Sequence, residues 1–170
     1  MRMQSYLGST LFALSAVLAV GTKADPKVDP DVGRTYVGHP NAGCSDYEGF
    51  VLREKNVNLV VTSAKCGNGF EAWLSKRVDG ANSTSANMIV LDHLVISQLK
   101  EGEELSSAPY CYQGKRPLRW LGIYEWRGRK TITHANGGVH AAWTVNASLE
   151  RFEQAPSKLL DAASCVLEEE

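Results

Sequence analysis

The sequence predicts a mainly β domain, an antiparallel sandwich or small barrel, with a short helical segment at its carboxyl end. Two apolar runs, residues 57–62 and 88–97, have the length and composition of strands. Residues 119–127 alternate in character, as a strand does. Signals for the start of a helix come only after residue 145. Together these patterns predict a β-rich fold with its helical part last.

The amino-terminal residues have the features of a secretory signal. Arg2 precedes an apolar run from Leu11 to Val20, and Ala24 closes a small-residue cleavage pattern. Because that run is too short to span a bilayer, we expect a soluble mature chain, with no membrane span, in the periplasm or outside the cell. The expected organisation is a signal peptide at 1–24, an extended, solvated lead-in at 25–35, one disulfide-stabilised domain at 36–167 and an acidic tail at 168–170.

The cysteines are expected to form disulfides. An exported chain with an even number of cysteines oxidises them, and this one has Cys44, Cys66, Cys111 and Cys165. Of the three possible pairings we favour the nearest in sequence, which joins Cys44 to Cys66 and Cys111 to Cys165. Zinc binding by the same residues is disfavoured because no two of them have C-x-x-C spacing.

Two segments leave the secondary structure open. Residues 69–78 suit either a strand or one face of a helix, so α+β is the alternative fold class. Near the carboxyl end, Asn146 or Ser148 is expected to cap a turn, and Ser157 is expected to cap a helix over residues 158–164.

A glycine pattern resembling a cofactor loop occurs at residues 67–72, which read G-x-G-x-x-A after an apolar strand. In dinucleotide-binding folds such glycines let the backbone approach a pyrophosphate. Here they directly follow Cys66, which is expected to be oxidised, and the alternation of strands and helices that such a fold needs is missing downstream. We therefore interpret the pattern as a glycine turn and expect no cofactor.

Two histidines, His134 and His140, flank an Asn-Gly-Gly stretch that predicts a β-hairpin. With a three-residue loop at 136–138 they would lie opposite each other, with Cβ atoms about 5 Å apart, and could chelate a metal. With a two-residue loop His140 turns to the other face. Because a zinc site needs a third protein ligand, we favour an ordinary hairpin and keep both residues as candidate metal ligands.

Asp92 and His93 are further candidates, since an acid beside a histidine suggests general base chemistry. On a strand their side chains point to opposite faces, so they cannot form a dyad with each other. We therefore interpret them as a polar pair at a bend or at the end of the strand, each with its own partner.

A basic and aromatic segment is the strongest candidate for a binding surface. The aromatic row along the predicted strand is either a core face or an exposed surface for an acidic protein or a carbohydrate, and the core interpretation is favoured. The candidate binding residues are Arg119, Trp120, Tyr124, Trp126, Arg127 and Arg129.

Charge and motifs favour binding over catalysis. A formal net charge of −1 does not predict nucleic-acid binding. Neither G-x-S-x-G nor H-E-x-x-H occurs. We expect an exported, non-enzymatic binding module that recognises an envelope or extracellular protein or polymer, for example as an inhibitor of a secreted hydrolase. The alternative is a small secreted hydrolase or metal-dependent enzyme that uses His93, His134 or His140.

Overall fold

The computed structural model describes residues 29–54, 57–78, 87–107 and 110–167. In this part the chain is mostly antiparallel β-structure with one short helix, which confirms the predicted fold class. The helical alternative for residues 69–78 is wrong, because this segment is a strand up to Arg77. The predicted signal peptide, the start of the lead-in and the acidic tail lie outside the described residues.

The described elements, in chain order, are β1 (Thr35–Val37), β2 (Ser45–Glu54), β3 (Val57–Cys66), β4 (Gly69–Arg77), β5 (Asn87–Ile96), β6 (Glu104–Ser106), β7 (Tyr110–Gln113), β8 (Arg116–Leu118), β9 (Leu121–Tyr124), β10 (Thr131–Thr133), β11 (Val139–Asn146), β12 (Arg151–Gln154), α1 (Ser157–Asp161) and β13 (Ala163–Val166). The two predicted apolar strands are β3 and β5, and the alternating segment contains β9.

The strands form three sheets, none of which closes into a barrel within the described ranges. The first sheet has the strand order β1-β5-β4-β3-β2, the middle sheet β12-β11-β9-β6, and the third sheet β10-β13-β7-β8. All pairings are antiparallel. The middle sheet lies between the other two sheets, because its side chains pack against both the first sheet and the third sheet.

Alternate side chains of β9 pack on opposite faces of the middle sheet. Leu121 is fully buried and packs with Ala72 of the first sheet. Tyr124 is also fully buried but packs with Ile132 and Cys165 of the third sheet. Full burial of an aliphatic or aromatic side chain stabilises the fold by about 1.5–3 kcal/mol. A four-residue strand with apolar side chains on both faces therefore connects the two cores.

A glycine inside β9 makes room for the largest of these side chains. A Cβ atom built on Gly122 would lie 2.4 Å from the hydroxyl oxygen of Tyr124, far inside van der Waals contact. The tyrosine ring therefore covers the glycine, and any larger residue at position 122 would push the ring away.

Both predicted disulfides are present. Cys111 on β7 lies directly opposite Cys165 on β13, and the two are bonded across the strands. The second bond joins Cys44, just before β2, to Cys66 at the end of β3. The predicted glycine turn follows at once: Gly67 has a φ of 58°, which glycine adopts without strain, and Cys66 pairs with Gly69 across it.

The end of the domain differs in part from the prediction. Asn146 does cap a turn, because its side-chain oxygen accepts the backbone N–H groups of Ser148 and Leu149. The predicted cap at Ser157 is wrong: this residue opens α1, Pro156 precedes it, and no side chain caps the helix. The helix ends at Asp161 because the next residues pair with β7 and β10.

The predicted hairpin around the Asn-Gly-Gly stretch is also wrong. The turn itself forms, since the backbone N–H of Gly138 donates to the carbonyl of Thr133 at 3.0 Å. The strands on either side of it do not pair with each other, because β10 joins β13 while β11 joins β9 and β12. The turn therefore carries the chain from the third sheet to the middle sheet.

The chain-entropy model predicts a different loss of stability for each disulfide. Replacing Cys111 and Cys165 by alanine opens a loop with a sequence separation of 54 and is expected to lower the free energy of unfolding by about 4 kcal/mol. Replacing Cys44 and Cys66 opens one of 22 and is expected to cost about 3 kcal/mol. Urea unfolding of the two double variants measures the difference. A larger loss for the Cys44–Cys66 pair would contradict the expectation.

Candidate functional site

A small cavity opens between the edge of the first sheet and the third sheet. Its volume is about 250 Å³. Its lining is largely aromatic and apolar, with one guanidinium at the rim, and it includes Phe50, Tyr110, Tyr112, Pro117, Leu118 and Arg119. A second, open cleft of about 610 Å³ shares Arg119 and is lined by Val51, Leu52 and Arg53. We call the cavity and the cleft together the β2–β8 groove.

One wall of the groove is a strand edge. Among the described residues β2 pairs only with β3, so its other side has no strand partner. Arg119 Nη1 donates a hydrogen bond of 2.8 Å to the carbonyl oxygen of Val51. In an antiparallel strand the N–H and C=O of a residue point to the same side, and alternate residues share that side. The backbone groups of Gly49 and Arg53 therefore point in the same direction as those of Val51.

The groove carries positive charge. The charged side chains that line the cavity and the cleft are Arg53 and Arg119. Arg119 uses one donor on Val51, and a guanidinium has five N–H groups in all. Donors therefore remain for an acidic group that enters the groove.

The six predicted binding residues do not form one surface. Trp120 and Tyr124 are buried, with exposed fractions of 2% and 0%, so the core interpretation is correct for both and neither can meet a partner. Trp126 is half-buried, and its indole Nε1 donates to Glu104 at 2.7 Å. Only Arg119 lines the groove.

The other two arginines lie beyond the opposite end of β9 and have local partners. Arg127 donates to Glu125 Oε1 at 2.6 Å, and this contact holds the pKa of the Glu125 carboxyl below its usual value. Arg129 Nη1 donates to the carbonyl of Asn136 at 2.7 Å. Sequence reasoning missed Arg53, Phe50 and the two tyrosines of the groove, because nothing in their local sequence indicates that β2 and β7 become neighbours.

The two candidate metal ligands of the predicted hairpin have separate partners. His134 Nδ1 lies 2.7 Å from Asp161, at the end of α1. His140 Nε2 lies 3.3 Å from Glu125 and 3.7 Å from Glu103. Neither histidine belongs to a group of described residues that could hold a metal ion. Among the described residues, the two histidines therefore share no set of metal ligands.

Asp92 and His93 have different partners, as their opposite orientation on a strand predicts. Asp92 accepts the backbone N–H of Phe152, which ties β5 of the first sheet to β12 of the middle sheet. The His93 ring lies on the other side of β5 and stacks on Trp73 with ring centroids 5.4 Å apart. Asp92 therefore has a structural role, and the two do not form a dyad.

His93 is the centre of an acidic cluster. Its Nδ1 lies 2.9 Å from Asp29 Oδ2 and 3.8 Å from Asp31 Oδ2, and its Nε2 lies 3.2 Å from Glu71 Oε2. Residues 29–35, expected to be extended and solvated, instead form a turn that leads into β1 and brings both aspartates to the ring. Asp29, Asp31 and His93 are grouped closely enough to hold a metal ion; in the other such group of described residues, the two cysteines beside Glu71 are joined in a disulfide. Asp31 Oδ2 also accepts the indole N–H of Trp73 at 3.2 Å.

In comparisons with known proteins, no family model, curated protein or solved structure matches the chain. Within the described ranges no helix combines the length and the apolar character that crossing a bilayer requires. Any proposal about function therefore depends on the groove and the cluster themselves.

The buried tyrosine predicts how stability responds to alkaline pH. Burial raises the pKa of the Tyr124 hydroxyl above its ordinary value of 10.0. Above that ordinary value the unfolded chain loses the proton while the folded chain keeps it, so stability falls by about 1.4 kcal/mol per pH unit for this group. Between pH 10 and 11 the unfolded tyrosine is only partly ionised, so Tyr124→Phe is expected to reduce the decline over this interval by about 1 kcal/mol. Thermal unfolding across this range measures it, and equal slopes in both proteins would contradict the assignment.

Proposed function

We propose that this protein is an exported, non-enzymatic binding module whose β2–β8 groove takes an extended, acidic segment of a partner protein. The main support for this proposal is the position of Arg119. Its guanidinium lies at the open edge of β2, between the cavity and the cleft of the groove. Two disulfides suit an oxidising compartment, which supports export to the periplasm or beyond the cell.

The open edge supports recognition by strand addition. An extended peptide that pairs with a strand edge gains main-chain hydrogen bonds, and its alternate side chains enter pockets beside the edge. Gly49 and Arg53 direct their backbone groups to the open side, and Val51 directs its N–H there, since its carbonyl accepts Arg119. The three residues span two repeats of the strand, about 13 Å. A partner segment of about five residues matches that length.

The cavity favours a side chain over a complete small ligand. Pockets that bury a small-molecule ligand usually enclose about 300–1,000 Å³. The cavity of the groove measures about 250 Å³, which accommodates one large apolar side chain. Its walls include Phe50, Leu118 and two tyrosines, and aromatic walls of this kind suit an aromatic or aliphatic residue of the partner.

The charge of the groove selects an acidic partner over the other classes considered. Arg53 and Arg119 lie on the open side of β2, where a carboxylate of the added strand would pair with them. Trp120 and Tyr124, the aromatic residues first considered as a carbohydrate surface, are buried. Inhibition of a secreted hydrolase is one form that such binding takes, if the acidic segment belongs to the enzyme.

Substitution of Arg119 tests the proposal directly. We expect oxidised protein to bind extended peptides that combine an aromatic residue with Asp or Glu, and to bind the matched Asn or Gln peptides much more weakly. Charge-assisted hydrogen bonds contribute about 1.5–3 kcal/mol, so Arg119→Gln is expected to weaken binding at least about tenfold. Fluorescence anisotropy with a labelled peptide library measures the affinity.

The control is Arg127→Gln, which removes an arginine of the same predicted segment from the far end of β9 and is expected to leave binding unchanged. Unfolding curves of both variants establish that they are folded. The proposal fails if no acidic peptide binds, if Arg119→Gln binds as wild type does, or if both arginine variants lose affinity equally.

A further inference from the structure

A histidine held between carboxylates lies on the face of the first sheet that carries Trp73. The His93 side chain is 93% removed from solvent, with an exposed fraction of 7%, while Asp29 and Asp31 keep fractions of 34% and 23%. The ring nitrogen Nδ1 faces both aspartates, and Nε2 faces Glu71. The imidazole is thus buried, while the three carboxylates around it, including Glu71 with an exposed fraction of 22%, each reach solvent.

The two carboxylates that face the ring nitrogens require either a second proton on the imidazole or a metal ion at one nitrogen. A neutral imidazole carries a single N–H and so can donate to only one of two carboxylates. Here Nδ1 lies 2.9 Å from Asp29 and Nε2 lies 3.2 Å from Glu71. If Nε2 carries the proton, the lone pair of Nδ1 faces a carboxylate oxygen, which is repulsive unless a proton or a metal ion lies there.

The atoms around the cluster hold its three ligands in position. Asp29 Oδ1 accepts the backbone N–H of Asp31 at 2.9 Å, which leaves Oδ2 directed at His93. Asp31 Oδ1 lies 3.3 Å from Arg34 Nε, while Asp31 Oδ2 accepts the Trp73 indole N–H at 3.2 Å and lies 3.8 Å from His93 Nδ1.

Glu71 completes an arrangement typical of metal-binding histidines. A histidine that ligates through one nitrogen almost always donates its other N–H to a carboxylate, a carbonyl or water, which fixes the tautomer and the ring orientation. Glu71 Oε2 stands at that position, 3.2 Å from Nε2. The carboxylate that would support a metal ligand is therefore present in addition to the three ligand atoms.

The distances suit a small ion with mixed nitrogen and oxygen ligands. Metal–ligand bonds of about 2.1 Å in a tetrahedron place the ligand atoms about 3.4 Å apart. The distances from Nδ1 to the two aspartates, 2.9 and 3.8 Å, lie on either side of that value. Calcium and magnesium prefer oxygen ligands, whereas imidazole suits zinc and related transition metals.

We propose that Asp29 Oδ2, Asp31 Oδ2 and His93 Nδ1 bind one divalent transition-metal ion of the zinc type, with water at the remaining position. The ion bridges the turn of residues 29–33 to β5, so it fastens the start of the domain to the first sheet. This site is independent of the β2–β8 groove, and the two proposals fail separately.

Titration with zinc tests the site. Full-length protein without an affinity tag, with its disulfides intact, is treated with chelator and then titrated by calorimetry. We expect one zinc ion per chain and a rise in the melting temperature of several °C at saturation, because the ion binds only the folded site. Cobalt in place of zinc is expected to give the visible absorption of a four-coordinate nitrogen–oxygen site.

Matched variants separate this site from adventitious binding. Asp29→Asn and His93→Gln are each expected to weaken zinc binding at least tenfold, and Asp29→Asn removes charge from a partly exposed position with little risk to folding. Asp161→Asn is the control, because Asp161 contacts His134 as Asp29 contacts His93. Its affinity and melting shift are expected to equal those of the wild type.

Three outcomes would overturn the proposal. The first is no stoichiometric zinc binding by wild type, which would mean that a proton alone serves the ring. The second is unchanged binding in both Asp29→Asn and His93→Gln. The third is a loss in Asp161→Asn as large as the loss in Asp29→Asn, since the ion would then lie elsewhere.

Discussion

The packing of β9 between two layers is the constraint on which the rest of the architecture depends. Leu121 joins the core shared with the first sheet, and Tyr124 joins the core shared with the third. Gly122 provides the space that the tyrosine ring occupies. A strand buried on both faces cannot present a recognition surface, so binding chemistry is left to the rims of the layers, where Arg119 emerges just before β9.

The groove is a consequence of how the layers end. β2 is the last strand of the first sheet and β8 the last strand of the third, and each leaves one side unpaired among the described strands. Exposed strand edges invite association, and natural proteins limit this with charges, bulges and short strands. β2 has a bulge between Ser45 and Glu48, and Arg119 contacts its carbonyl edge. In the proposed function, the same contact that limits unspecific pairing at this edge also supplies the charge that selects a partner.

The histidines show how little sequence proximity says about chemistry. His134 and His140 are close in the chain, yet the turn between them joins different sheets, and each contacts its own carboxylate. His93 has no such neighbour, and its partners Asp29 and Glu71 come from segments 64 and 22 residues away. The pairing of β4 with β5 brings Glu71 and Trp73 to His93, and the turn before β1 brings the aspartates.

Local patterns determined the fold class, the positions of β3, β5 and β9, the glycine turn at residue 67 and the oxidation of the cysteines; they favoured the disulfide pairs that the structure has. These features depend on side-chain periodicity, on the backbone preferences of single residues and on the even number of cysteines, all of which can be recognised in the sequence without knowledge of long-range contacts. Tertiary structure alone decided that the aromatic row is core, that β10 and β11 do not pair, that Arg119 stands beside Arg53, and that two aspartates of the lead-in reach His93. Each of these features depends on which sheet edges and faces pack together. That arrangement depends on burying the apolar faces of all three sheets, and no single segment specifies it.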